Sequence, residues 1–142
     1  MISLSIVDNK NFMGKLLREE TFDKFDLHSL QIRNFAFFEI HKPQDEPAPK
    51  WSAVRPFVLS IIKGDGTTPK FFKVVLATTI DAIDLQNTSL FLNISFEKDK
   101  ITMTTGFSQR GYSLDKSPGE IWDNYMTEFL DNKNINYINN LT

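Results

Sequence analysis

The chain has no cysteine and few histidines. Its 142 residues include no cysteine and two histidines. Without thiols it cannot form a disulfide framework, a cysteine-ligated zinc site or a thiol nucleophile. A chain free of cysteine also suits a reducing compartment. These absences point away from an enzyme, and we expect no cofactor and no bound metal.

Long apolar runs and a strong net charge are also missing. No stretch of about 18 apolar residues occurs, so no membrane-spanning helix is predicted. The segment Met1–Lys10 alternates polar and apolar residues and does not resemble a signal peptide, so we expect a cytoplasmic protein that binds no membrane. The net charge is −2, from 16 basic and 18 acidic residues. That balance disfavours nucleic-acid binding over the whole surface but allows a local basic face.

Phenylalanine is abundant. The chain has 13 phenylalanines, and 41% of its residues are hydrophobic. An aromatic core is the favoured interpretation, because aromatic rings dominate core burial. An aromatic-lined pocket or interface is the alternative. The length predicts a single domain over residues 1–142.

The N-terminal third predicts a strand, a helix and two further strands. Ile2, Leu4 and Ile6 alternate with polar residues, as in a half-buried strand. Asp8 is placed to cap the helix that follows. The pattern over 25–41 predicts strand with a bend, a bulge or a turn near 33–34. The proline-rich segment 41–50 predicts an exposed loop.

Two interpretations remain open for 51–63. The apolar spacing fits a helix that ends at Gly64, with Pro56 in the first turn. The rival is a strand from Phe57 to Ile62 that turns at 64–66. We favour the helix.

The C-terminal half predicts more strands and a last helix. Residues 71–78 are β-rich, and 80–86 suggest a short helical turn. Residues 90–105 alternate around a turn at 97–100 and predict a hairpin. Ser117-Pro118-Gly119-Glu120 is a strong helix start. The asparagine-rich tail, 132–142, is predicted to fray.

This order of elements predicts an α+β domain. We expect an antiparallel β-sheet of about six strands, built from meanders and hairpins, with two to three helices grouped on one face.

Candidate sites are few. His28 and His41 lie thirteen positions apart with no accompanying motif, so neither metal binding nor catalysis is predicted for them. Gly64-Asp65-Gly66 follows a helix rather than preceding one, which favours a helix stop over a phosphate loop. The stretch 104–111 could bind an anion through its amides and Arg110, with Ser108 and Gln109 beside it. A solvated hairpin turn is the favoured alternative.

Several short motifs resemble those of a family of short uncharacterised bacterial proteins, a domain of unknown function. They extend over nearly the whole chain, and the resemblance implies no activity. The motifs are Ser5-Ile6-Val7-Asp8, Phe12-Met13, Lys15-Leu16-Leu17, Glu20-Thr21-Phe22-Asp23, Trp51, Arg55-Pro56, Ile62-Lys63-Gly64, Thr104-Thr105-Gly106, Leu114-Asp115-Lys116-Ser117 and Trp122-Asp123.

The order of elements also resembles one domain of a DNA sliding clamp. In such domains two helices face DNA, which implies a basic face formed by Lys10, Lys15 and Arg18 on the first helix and by Arg55 and Lys63 on the second. An ordinary solvated helix face is the favoured alternative. A single domain of this kind closes a ring only by assembling with other copies.

Three functions therefore remain. The chain is most simply a non-catalytic interaction module that binds a protein partner or itself. The alternatives are a clamp-like binder of nucleic-acid phosphates, and a small-ligand protein or unrecognised enzyme that uses a pocket beside 104–111.

Overall fold

The structure is a computed structural model, and it describes residues 1–34, 36–63, 69–80, 88–109 and 117–140. The described chain forms three helices and seven strands. In chain order these are β1 (Ser3–Ile6), α1 (Asn9–Leu17), β2 (Asp26–Arg33), β3 (Phe37–His41), α2 (Trp51–Lys63), β4 (Phe71–Thr78), β5 (Thr88–Glu97), β6 (Lys100–Gln109), α3 (Ser117–Asn132) and β7 (Tyr137–Asn139).

All seven strands belong to one antiparallel sheet, in the order β3-β2-β4-β5-β6-β1-β7. The N-terminal strand β1 lies between β6 and β7, so it pairs only with strands from the far end of the chain. The α+β class and the antiparallel sheet are confirmed. The sheet has seven strands rather than about six, because the C-terminal tail adds β7.

The two faces of the sheet differ in burial. Alternate strand residues are buried, and they form one core cluster with residues of all three helices. We call this side the inner face. The opposite side, the outer face, carries half-buried or exposed side chains, and no described helix covers it. A sheet with one packed and one solvated face gives the alternation seen in the sequence.

The predicted N-terminal elements are present. Asp8 caps α1, because its side chain accepts a hydrogen bond from the amide of Asn11 at 3.1 Å. Both irregularities expected over 25–41 occur. A register shift falls between Leu27 and Ser29, and a turn separates β2 from β3 after Arg33.

The segment 51–63 is a helix, as favoured. The position of Pro56 was wrong: α2 begins at Trp51, so Pro56 lies in its second turn rather than its first. The proline has no N–H for the carbonyl of Ser52, one turn earlier. Ser52 is exposed, so water can reach that carbonyl and the helix continues.

The predicted hairpin joins β5 to β6. Glu97 pairs with Lys100, and Lys98 and Asp99 between them have φ of 53° and 62°. Positive φ at both central residues is typical of a tight hairpin turn whose twist matches the strands. The side chain of Asn9 donates to the carbonyl of Asp99 at 2.8 Å and so ties this turn to α1.

The predicted loop at 104–111 was wrong for its described part. Residues 104–109 belong to β6 and pair with β5 along their whole length. The hydroxyl-rich composition misled because Thr105 faces inward, where it is 1% exposed. Its hydroxyl accepts from the amide of Ile2 at 3.0 Å and donates to Asp123.

The predicted fraying of 132–142 is contradicted in its described part, 132–140. After α3, Ile135 is buried and the segment Tyr137–Asn139 pairs with β1 as β7. The amide of Asn140 then donates to the carbonyl of Ser3 at 2.9 Å. These contacts hold the asparagine-rich segment in place. The predicted stop at 64–66 and most of the predicted helical turn at 80–86 lie outside the described residues.

Candidate interaction surface

Helix α2 is anchored by its first residue. The indole of Trp51 is fully buried, and its Nε1–H donates to the carbonyl of Leu16 in α1 at 2.8 Å. The backbone amide of Trp51 donates to the carbonyl of Phe25 at 2.9 Å. A buried indole with its N–H satisfied contributes a large apolar area without a polar penalty. These bonds fix the start of α2 against α1 and the segment leading into β2.

Few residues of α2 are fully buried, although apolar residues occur on all its sides. Trp51 and Val58 are the two buried ones. Four more are partly buried and pack against the core: Val54, Leu59, Ile61 and Ile62. A helix that is apolar all round is normally enclosed on all sides. This one is covered on one side only.

Arg55, the charged residue in the middle of α2, is paired with a neighbouring carboxylate. Two nitrogens of Arg55 donate to the two carboxylate oxygens of Asp23 at 2.7 and 3.0 Å. A third nitrogen lies 3.5 Å from the carbonyls of Leu17 and Arg18. Hydrogen bonding to Asp23 and the nearby negative charge raise the pKa of Arg55 above its usual value. Arg55 therefore joins α2 to the segment after α1 and leaves no charge on the exposed side before Lys63, the last residue of the helix.

The exposed side of α2 between Ser52 and Ser60 is a stripe of uncharged residues at helical spacing, which we call the α2 outward face. Its largest member, Phe57, is 69% exposed. The hydroxyl of Ser60 donates to the carbonyl of Pro56 at 3.1 Å and so offers less polarity to solvent. The members of the face are Ser52, Ala53, Pro56, Phe57 and Ser60.

The model of DUF5721, a family of unknown function, matches residues 15–138. That range includes α2, α3 and most of the sheet. The chain belongs to the DUF5721 family. The match confirms the resemblance to an uncharacterised domain and brings no activity with it.

Comparisons with curated proteins and with solved structures found no match. The similarity of this DUF5721 chain to a sliding-clamp domain therefore stays a prediction. None of the described helices is both long enough and apolar enough to cross a membrane.

The five basic residues predicted for a clamp-like face have different surroundings. Lys10, Arg18 and Lys63 are exposed, and Lys15 is half-buried in the last turn of α1. Arg55 is held by Asp23.

Acidic residues also lie on the helix side of the sheet. Helix α3 joins α1 there, since the ring of Phe22 lies 5.7 Å from Phe12 and 5.5 Å from Phe129. Glu120, Glu128 and Asp131 of α3 are exposed and acidic. The helix side therefore presents mixed charge rather than a uniform basic face.

Of the three residues predicted to bind an anion, the two that are described, Ser108 and Gln109, lie at the end of strand β6. Ser108 pairs with Ser89, and Gln109 pairs with Thr88, at the last positions of β6. Arg110 lies outside the described residues. Binding of a small ligand by these three residues stays a prediction.

The two histidines lie on different strands. His28 is exposed and its ring contacts Phe91, with 5.2 Å between the ring centroids. His41 lies 3.6 Å from Glu39 at the sheet edge. Within the described ranges, no group of three or more histidine or carboxylate side chains is placed to hold a metal ion.

Sequence reasoning missed the contact between Thr105 and Asp123. Thr105 lies in β6 and Asp123 in the second turn of α3, and their hydrogen bond joins the sheet to the helix. The carboxylate of Asp123 also forms an ion pair with the terminal ammonium of Met1, at 2.9 Å. A polar residue at an inward position of the alternating run 101–107 was the available signal.

Proposed function

We propose that this member of DUF5721 is a non-catalytic protein-interaction module of the cytoplasm, and that it binds its protein partner through the α2 outward face. The observation that carries the proposal is the run of exposed, uncharged residues from Ser52 to Ser60, with Phe57 at its centre and 69% exposed. Single exposed apolar residues are common on soluble proteins. Here the exposed stripe carries no charge until Lys63, the last residue of the helix.

The energetics favour covering this face. Burial of apolar surface contributes about 25 cal/mol per Å². Aromatic side chains at the centre of an interface often supply most of the binding energy. Phe57 is already held on an ordered helix, so binding loses little additional backbone entropy. A partner with an apolar groove gains from Phe57 without having to satisfy a charge.

Self-association fits the same face. Ala53 and Ser60 are small and flank Phe57 by about one helical turn on either side. Two copies of α2 packed across a twofold axis would each place a phenylalanine beside the small residues of the other copy. A second copy of the chain and a different apolar protein thus compete as occupants.

The test compares one change on each of two helices. Phe57→Ser removes the exposed ring, and Glu128→Ser, on the exposed side of α3, is the matched control. Native mass spectrometry of protein purified gently from its own cells reports bound partners and copy number together. Sedimentation of the purified variants then measures self-association.

We expect the wild type and Glu128→Ser to carry a partner protein or a second copy, and Phe57→Ser to lose it. Thermal unfolding checks that both variants are folded, since surface changes of this kind cost about 0.5 kcal/mol or less. A bare monomer in the wild type would count against the proposal. So would a complex that survives in Phe57→Ser.

A further inference from the structure

The outer face of the sheet combines exposed aromatic rings with cations at one end. Strand pairing places Arg33 directly opposite both Phe37 and Phe71. Directly paired residues of neighbouring strands share a face. The next positions inward, Ile32 and Phe72, are fully buried, so this row lies on the outer face.

Four cations lie at the same end of the sheet as these two rings. Lys73 lies two residues further along β4 than Phe71 and therefore on the same face. Lys98 and Lys100 belong to the β5–β6 hairpin. All four cations are exposed, and none forms an ion pair with a described residue. We call this set the basic–aromatic patch: Arg33, Phe37, Phe71, Lys73, Lys98 and Lys100.

The hairpin side of the patch is slightly concave. A depression of about 290 Å³ is lined by Lys98 and Lys100 together with Ser95, Thr102 and Glu97. The two hydroxyls are hydrogen-bond donors beside the two ammonium groups, a combination that suits phosphate oxygens. Glu97 is the one carboxylate among the lining residues and offsets part of the positive charge.

A second carboxylate, Glu39, lies at the sheet edge and is already occupied. It accepts from the side-chain amide of Gln31 at 3.4 Å, and it lies 3.6 Å from His41. Asp99, in the turn between Lys98 and Lys100, is a third exposed carboxylate near the patch. The four cations still outnumber these three carboxylates, on a chain whose formal net charge is −2.

The aromatic rings select the kind of anion. Phe37 is 51% exposed, and Phe71 is partly exposed. They lie on strands separated by β2 alone, so their backbones are about 10 Å apart. The phosphates of a duplex, or an acidic protein, would contact the cations but would not stack on the rings. Unpaired bases stack on such rings while cations contact the connecting phosphates.

We propose that the basic–aromatic patch binds single-stranded nucleic acid without sequence preference. Arg33, Lys73, Lys98 and Lys100 contact phosphates, and Phe37 and Phe71 stack with bases. The site is on the opposite side of the sheet from α2, so a protein partner and a nucleic acid can bind together. It is also distinct from the predicted clamp-like helix face.

The first experiment locates the phosphate contacts. Fluorescence anisotropy measures binding of a labelled oligothymidylate about 15 nucleotides long, between about 20 and 200 mM salt. The double variant Arg33→Gln/Lys73→Gln changes the patch, and Lys10→Gln/Lys15→Gln changes the helix side as a matched control. Both variants remove two charges at residues that are not buried.

The patch variant is expected to bind at least about 10-fold more weakly at low salt, and its logarithmic salt slope should fall by about 1.4, or 0.7 per lost phosphate contact. The helix-side control should match the wild type. Absence of binding at the lowest salt would overturn the proposal, as would an equal loss in the two double variants.

The second experiment tests the rings. Phe37→Leu keeps an apolar side chain but removes the stacking surface, and we expect it to weaken single-strand binding by about 5-fold or more. Duplex of the same length and inorganic polyphosphate serve as competitors. If either competes as well as the single strand while Phe37→Leu has no effect, the patch is a general anion surface and the proposal fails.

Discussion

Helices α2 and α3 are attached to the protein in the same way. Each has a buried tryptophan whose indole N–H donates to a backbone carbonyl. Trp51 of α2 donates to Leu16 at 2.8 Å, and Trp122 of α3 donates to Phe91 at 2.9 Å. The two helices share this anchoring contact, although α3 buries more residues than α2 does.

Their outer sides differ. The exposed residues of α3 recur every three or four positions and include three carboxylates, whereas those of α2 carry one charge, on Lys63 at the end of the helix. Charged side chains keep a helix surface hydrated, and their absence leaves an apolar surface for association. The apolar stripe of a helix thus predicts which side is buried. The presence or absence of charged residues on the opposite side indicates whether that side stays hydrated or is available for association. The exposed residues of α3 are Ser117, Glu120, Asn124, Glu128, Asp131 and Asn132.

The largest expected effect tests whether the buried tryptophans anchor the two helices to a similar extent. Trp51→Ala and Trp122→Ala should each lower the free energy of unfolding by about 3–5 kcal/mol, because each leaves a cavity and an unpaired carbonyl. Urea denaturation followed by circular dichroism measures the loss. The milder Trp51→Phe and Trp122→Phe keep the comparison measurable if an alanine variant does not fold. A cost below about 1 kcal/mol at Trp51 would show that α2 is not anchored there.

A smaller effect tests how closely α3 lies on the sheet. A Cβ atom at Gly119 would lie 2.6 Å from Cε1 of Phe107 in β6. Gly119→Ala should therefore cost about 1–2 kcal/mol, although alanine normally favours a helix. Gly106→Ala is the control, since its Cβ would meet the nearest atom, on Asn93, at 3.9 Å. Denaturant unfolding decides, and recovery of stability in Gly119→Ala/Phe107→Leu would assign the cost to the ring.

The smallest effect concerns pH at the end of α3. Burial, then the charge of Asp131 and a hydrogen bond to it, raises the pKa of Tyr137. A raised pKa means that the folded state holds the proton more tightly, so this stabilisation is complete below the unfolded pKa of about 10 and is lost as the pH rises through the folded value.

Tyr137→Phe removes that dependence. Melting temperatures from pH 8 to pH 11 should fall less in this variant than in the wild type. Tyr125→Phe, whose tyrosine hydroxyl accepts a hydrogen bond from Lys24, gives the background of ordinary alkaline loss. Parallel curves for Tyr137→Phe and the wild type would show that Asp131 does not stabilise β7 in this way.

Local patterns carried much of the fold. The β-rich segment 71–78 coincides with β4, and the cap at Asp8 and the start at Ser117 mark the helices as expected. In each case neighbours in sequence determine the structure. Two of the failures, at 104–105 and in the C-terminal tail, involve partners more than a hundred residues away: Thr104 pairs with Ser3, and Asn139 pairs with Leu4. Composition alone does not report such partners.

The candidate surfaces show the same limit. The sequence places Phe57 on α2 but does not reveal that Arg55 turns toward Asp23, which leaves the outward face without charge. The basic–aromatic patch gathers residues from four strands, and no short motif marks it. The strand order determines which cations and rings of the patch become neighbours, and the sequence alone does not show that order.

The position of β1 has a consequence for synthesis. β1 is made before the other described strands, yet Ser3 pairs with Thr104 of β6, and Leu4 pairs with both Met103 of β6 and Asn139 of β7. Its inward leucine and isoleucine therefore lack their strand neighbours until β6 and β7 have been made. Pairing between segments so far apart in sequence forms slowly, and apolar residues that are exposed in the meantime favour aggregation.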